Sequence, residues 1–448
     1  MWGLRPVGGD AFRSLGSGDA HRAEACSSRR QATSAASGVG RVLRGNVRME
    51  SYGVAPIRTV SEHGRAWRFP VSCLRPSSGW NERERRREMG YGWSSKNVLV
   101  TGGASFIGSS LVDALRARGA SVRVVDDFSS GVYRNIEQAV EEGSVELIRG
   151  DLRDPDVSRK SVEGMEVVFH LAADHGGRGY VDLHQYACAT NLGLDSMFFR
   201  AALDAGVGQV VYASSGCIYP LNLQADPTQT LYLTEDMEKA PGYDPDGLYG
   251  LAKMAGELTL RAMHAEFGIK TASCRYFTVY GPRGVENHAV IAMIARAFLR
   301  QDPFHVWGTG EQVRNWTYVG DIVEGTILAA ELIEDGTAVN LGTMERVRVI
   351  DAVRMVCELA GYAPEIVQQP DMPVGPMNRV ADNSLAKRLL GWEPTVAFAD
   401  GLERTYDWYV STKNPEEVRA ILDFMLTGRG SSAGGSQLVD ADPARSRA

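Results

Sequence analysis

The chain has 448 residues, 44% hydrophobic and 23% charged, with a formal net charge of −7. That is ordinary globular composition, enough for one large or two medium domains, and the acidic balance gives no general reason to expect a nucleic acid partner. No apolar run reaches the length of a membrane span; six cysteines without C-x-x-C or metal-ligand spacing predict thiols in a reducing cytoplasm and no metal site.

Residues 1–95 hold 16 Arg, no Lys and 8 acidic residues, a charge of +8, which leaves −15 for the remainder. This segment is rich in Ser and Gly ("CSSRRQATSAASGVG") and lacks a sustained apolar period, so it is predicted to be a disordered extension. Three origins compete: a basic organelle transit peptide, a basic arm for an acidic partner, or upstream sequence translated from an early start codon. Arginine without lysine suggests GC-rich coding sequence and favours the third, with Met89 just ahead of the first strand.

From Lys96 strand and helix patterns alternate. "KNVLVTGG" is a short apolar run closed by glycines. In "SFIGSSLVDALRARG", Ile107, Leu111, Ala114 and Leu115 share one helical face, and Gly119 ends it. Further strands are predicted at "SVRVVDD", "VELIRGD", "VVFHLAA", "QVVYASS" and "TASCRYFTVYG", most of them separated by helical patterns. This alternation predicts an α/β fold with a doubly wound parallel sheet over residues 96–281. Residues 282–427 mix helical stretches with short strands. They predict a smaller C-terminal lobe for substrate, with some chain returning to the first domain. Residues 428–448 read as a disordered tail.

The turn after the first strand holds Gly102, Gly103 and Gly108 and opens directly into a helix. Glycines there allow a tight turn and close backbone approach, and the helix N-terminus presents free N–H groups to a pyrophosphate. Asp126, at the end of the next strand, binds ribose hydroxyls and repels a 2′-phosphate, so the pattern predicts NAD rather than NADP. Tyr249 and Lys253, in "LYGLAKMAGE", are four apart and share one helical face. An ammonium beside a phenol lowers the phenol's pKa, which would make Tyr249 a base near neutral pH.

With these pieces the chain resembles the extended short-chain dehydrogenase/reductase family, the NAD-dependent sugar epimerases and dehydratases with a Rossmann domain, over roughly residues 96–412. The family's fingerprint is G-x-x-G-x-x-G, and here its middle glycine is Ser105. The resemblance implies Gly102, Ser105, Phe106, Ile107 and Gly108 around the pyrophosphate. It implies Asp151 and Leu152, in "RGDLRD", beside the adenine. Leu171, Ala172 and Ala173, in "FHLAA", would line the cofactor channel. It also implies that Ser215 hydrogen-bonds the sugar hydroxyl being oxidised and that Lys253 holds the nicotinamide ribose. A nucleotide-sugar substrate and a homodimer follow from the same resemblance.

The turn "SSGCIYP" narrows this. Sugar 4,6-dehydratases carry an Asp-Glu pair where this chain has Gly216 and Cys217, which argues against elimination. Simple 4-epimerases usually place a small hydroxyl residue at the position of Cys217. The GDP-mannose 3,5-epimerases share the S-S-x-C-I-Y-P form and a loop similar to "AADHGGRGY"; in them the cysteine is one of two acid/base groups. Their second group is a lysine in a loop after "YGP", and an ungapped match puts His288 there. Gly177, Arg178, Ser215 and Gly216 would face the sugar. Gln312 and Arg314, in "GEQVR", match the family's G-x-Q-x-R, and Arg379 matches a second phosphate-binding arginine. Thr278 stands where the family has asparagine. The alternatives are a UDP-sugar or UDP-uronate 4-epimerase with Cys217 as a bystander, a 4,6-dehydratase, and a non-catalytic NAD-binding protein.

Overall fold

Apolar runs punctuated by glycine form six strands in chain order in the computed structural model, which describes residues 91–428. They are β1 (Asn97–Thr101), β2 (Ser121–Asp126), β3 (Val145–Arg149), β4 (Val167–His170), β5 (Gln209–Ser215) and β6 (Lys270–Tyr276). With the later strand Asp335–Leu341 they make one seven-stranded sheet, in the order Asp335–Leu341, β6, β5, β4, β1, β2, β3. Every pairing in it is parallel. Helices cover both faces, which is why β1, β4 and β5 are buried along almost their whole length instead of alternating. The chain order reverses between β1 and β4. A cleft therefore opens at their carboxyl ends.

The second lobe has its own core, with Trp316, Phe398, Tyr409 and Ile291 among its buried residues. Its strands are short. Phe304–Trp307 pairs in parallel with Ile366–Gln369, and Val313–Arg314 lies between Val347–Arg348 and Asn378–Arg379. That last pairing sets Arg314 directly beside Arg379. The helix Val319–Leu332 and the strand Asp335–Leu341 return to the large sheet.

Three local expectations need correction. Order begins before Lys96: Trp93 is 6% exposed, packs on Phe169 at 6.0 Å and donates its indole N–H to Glu331 Oε1 at 2.6 Å. Two aromatic anchors, Tyr91 and Trp93, escaped notice because they sit in a glycine-flanked segment with no period. Residues 1–90 and 429–448, including Met89, lie outside the described residues. "TASCRYFTVYG" is not one strand. It breaks at Phe277–Thr278, where Thr278 takes φ +32, and Val279–Tyr280 pairs instead with Thr317–Tyr318. An unforeseen helix, Pro415–Thr427, follows the last predicted one. It is capped by Asn414 Oδ1 accepting from Glu416 N, and it brings Leu426 to the cleft.

Candidate active site

A cavity of about 400 Å³ runs along the carboxyl ends of β1, β4, β5 and β6, and a smaller one of about 60 Å³ adjoins it. Every residue chosen from the sequence lines one or both, except Gly103 and Gly108. Gly108 serves the turn instead: a Cβ there would lie 2.1 Å from Gly102 O, so only glycine lets the helix start this close to β1.

The smaller cavity is bounded by Gly102, Ser105, Asp126, Asp151, Leu152 and the Leu171–Asp174 segment. No side chain caps the helix Phe106–Ala117 at Ser105, whose hydroxyl donates to Gly102 O at 2.6 Å. The serine in the fingerprint's middle position therefore closes the turn, and no side chain blocks the helix N-terminus. Asp126 is 6% exposed and accepts from Ala104 N at 2.9 Å and Phe128 N at 2.8 Å, which ties the carboxylate at the end of β2 to the same turn. Burial raises the Asp151 carboxyl, but hydrogen bonds from Arg153 outweigh that and hold it below the usual range. The cradle, the free helix terminus and the acid opposite it suit a dinucleotide.

At the end of β5 the chain turns through Gly216–Ile218, and Ser215 Oγ accepts from Cys217 N at 3.1 Å. The helix Gly247–Phe267 brings Tyr249 to the cavity beside this turn, with Ser215 close enough to act on its phenol. Burial, then Cys217 and Cys188, push the Tyr249 phenol well up, and Ser215 opposes them. Lys253 does not offset this, contrary to the expectation from spacing. Its ammonium sits 5.8 Å from the Tyr249 ring centroid, over the ring and not at the hydroxyl, and burial weakens its own charge. The i,i+4 rule specifies a shared face but not the height at which the two head groups meet.

Across the cleft, His288 caps the helix Ala289–Phe298 and stacks on His175 at 6.2 Å between ring centroids. His175 in turn lies 5.9 Å from the Tyr249 ring. His288 Nδ1 is buried without a partner among the described residues, and burial pushes the imidazole down to about 4, with Glu286 opposing. The glycine loop before it is pressed close: a Cβ on Gly177 would lie 1.6 Å from Asn287 O.

Three arginines converge on Cys217. Arg379 donates Nη1–H to Cys217 Sγ at 3.2 Å and Nε–H to Gln224 Oε1 at 2.8 Å. Arg178 and Arg379 share Asp246 Oδ2, at 2.7 and 3.0 Å. Burial disfavours the Asp246 carboxylate, but Arg379 and Arg178 overcome it and hold the group down to about 2. Arg314 has no such acid. It donates to the carbonyls of Val313 and Val374, each at 2.9 Å, and burial, Arg379 and Arg178 together push it down to about 9. A guanidinium short of negative charge beside two others suits an anion.

Over residues 98–342 the chain matches the model of the NAD dependent epimerase/dehydratase family. It belongs to that family. It is 30% identical over 347 residues to the GDP-mannose 3,5-epimerase 1 of Oryza sativa subsp. japonica, covering 76% of this chain and 88% of that one. It is 31% identical to the UDP-glucose 4-epimerase of Mycolicibacterium smegmatis, over 70% and 98% of the two chains. Its fold is similar to the solved UDP-glucuronic acid 4-epimerase of Bacillus cereus with UDP-glucuronic acid and NAD, at a TM-score of 0.62 and 29% identity, over 70% of this chain and 98% of that one.

As a member of the epimerase/dehydratase family the protein is an NAD-dependent enzyme, and the cleft at the β1/β4 reversal is where the family's chemistry belongs. Two cleft residues escaped the sequence reading. His175 lay inside "AADHGGRGY", where glycine spacing drew the attention. Asp246, just ahead of the Gly247–Phe267 helix, has no local pattern that marks it. Only the fold reveals that its carboxylate faces two arginines 68 and 133 positions away.

Proposed function

We propose that the enzyme epimerises a nucleotide sugar by transient oxidation at C4, then enolisation and reprotonation at C3 and C5, in the manner of a GDP-mannose 3,5-epimerase. The observation that carries this reading is Cys217 Sγ, in the cleft beside Tyr249 and 3.2 Å from Arg379 Nη1. The other described cysteines, Cys188, Cys274 and Cys357, are buried.

NAD, held by Gly102, Ser105 and Asp126, would supply the hydride acceptor for C4 and the hydride that later reduces the ketone. Tyr249 takes the proton of the C4 hydroxyl, aligned by Ser215, and gives it back when the ketone is reduced. The C4 ketone acidifies the C3 and C5 protons. Cys217 removes or returns a proton on one face of the ring and His288 on the other, so each carbon inverts without net redox change. Arg314 and Arg379 hold the diphosphate, and Gln312 steadies the nucleotide end; Gln312 Oε1 is buried without a hydrogen bond among the described residues. The deciding experiment is incubation with a panel of sugar nucleotides in deuterated water. Deuterium at C3 or C5 is expected. Epimerisation at C4 without label would replace this reading with the UDP-sugar 4-epimerase one, which the likeness to both 4-epimerases above keeps in view.

The enzyme is further proposed to act as a homodimer in a reducing cytoplasm. Leu248, Leu251 and Leu258 form an exposed stripe along one face of the helix Gly247–Phe267, beside the exposed Leu192 and Met197 of its neighbour. Leu251→Asp with Leu258→Asp is expected to halve the sedimenting mass. A monomeric unsubstituted chain would exclude the dimer.

A further inference from the structure

We propose that Asp195 is a positioning residue, the buried counter-ion that keeps Lys253 charged across the ring of Tyr212. The proposal rests on the reading of Lys253 and Tyr249 given above. Asp195 lies on the helix Asn191–Asp204 and is 4% exposed, packed against β4 and β5. Its Oδ2 accepts from the Tyr212 hydroxyl at 2.5 Å, and its Oδ1 lies 3.1 Å from His170 Nε2. His170 Nδ1 lies 2.9 Å from Thr101 Oγ1, which also accepts the N–H groups of Leu171 and Ala172, each at 3.0 Å.

These contacts assign the protons. With two N–H groups already pointing at it, Thr101 gives its own hydroxyl proton to His170 Nδ1. His170 therefore carries its proton on Nε2 and donates to Asp195. Burial lowers the His170 pKa and raises that of Tyr212, so both are neutral. Asp195 receives donors at both oxygens and is the network's single charge. A carboxylate this deep requires a counter-charge nearby.

Lys253 is the cation that faces it. Its ammonium is 2% exposed and sits 4.6 Å from the centroid of the Tyr212 ring, whose hydroxyl holds Asp195. The groups acting on Lys253 are Asp195 on its helix, the Cys217 thiol on the β5 turn and Glu257 one turn along its own helix, with His170 and Tyr212 neutral beneath. Glu257 is already matched. Arg275 donates to its two oxygens at 2.9 and 2.8 Å, Arg261 adds a third bond at 3.2 Å, and Ser214 donates its hydroxyl. That leaves Asp195 as the carboxylate whose charge Lys253 balances.

The test has two independent arms. Asp195→Asn removes a negative charge felt by both Lys253 and Tyr249, so both give up protons more readily. In the pH profile of transient NAD reduction by a sugar nucleotide, both limbs should move to lower pH by about one unit. Asp195→Glu should leave them in place. A lowered amplitude with unmoved limbs in Asp195→Asn would overturn the proposal. The second arm uses no turnover and stands apart from the assigned reaction. Lys253→Met leaves Asp195 charged and unbalanced. Adding Asp195→Asn to it should then raise the urea unfolding midpoint, although Asp195→Asn lowers it in the unsubstituted chain. If Asp195→Asn alone does not fold, recovery of folding in the double variant is the same reversal. Additive midpoints, or a double variant that also fails to fold, would overturn the proposal.

Discussion

Tyr249→Phe is expected to slow transient reduction of bound NAD by a sugar nucleotide by about 10²–10⁴-fold, the usual loss when a general base is removed. Phenylalanine keeps the ring that packs on Tyr180, Val181 and Cys188 and lies 5.9 Å from His175, so the fold and the bound cofactor should persist. What disappears is the phenol hydroxyl in the cleft beside Ser215 at the end of β5. Stopped-flow absorbance at the reduced-nicotinamide band reads the step directly, and release of nucleotide on denaturation checks the loading. An unaltered rate with full loading would remove Tyr249 from the mechanism.

The second large effect is expected at Cys217. Serine nearly keeps the shape of cysteine but is a far weaker acid than a thiol, so Arg379 Nη1 would face a hydroxyl in place of sulfur. Cys217→Ser should still oxidise C4, because Ser215, Tyr249 and Lys253 are untouched. It should lose solvent-proton exchange at C3 and C5 by about 10²–10⁴-fold. His288→Ala should block inversion while Cys217 continues to exchange a proton on its own face. The pair separates the two faces of the ring. A cysteine that merely fills space predicts otherwise: Cys217→Ser would lose some stability and incorporate deuterium at the same rate per folded enzyme. That result would return the enzyme to the 4-epimerase reading.

Much of the fold and half of the site could be read from the chain because their signals are local. Apolar runs announced β1, β4 and β5, since strands buried on both faces have no polar positions to alternate. The β6 segment was read too long, because the apolar residues continue past a break that Thr278 makes with its backbone at φ +32. Asparagine, which the family resemblance implies there, adopts that region more readily than a β-branched residue. Trp93 and Tyr91 were missed for the opposite reason: two anchors without a period carry no local pattern.

The sequence by itself determined the periodicities, the turn chemistry and the spacing, and so the parallel sheet, the nucleotide cradle and the shared face of Tyr249 and Lys253. Each of these depends on residues within a few positions of one another. Only the tertiary structure decided the charges. Arg314 meets Arg379 because two short strands pair in parallel, and Asp246 joins Arg178 to Arg379 across the cleft. Lys253 sits over the rings of Tyr212 and Tyr249, with burial working against its charge. The physical reason is that the ionisation of a group depends on how much water it loses and which charges replace that water. Both are set by segments far apart in the chain, which packing alone brings together.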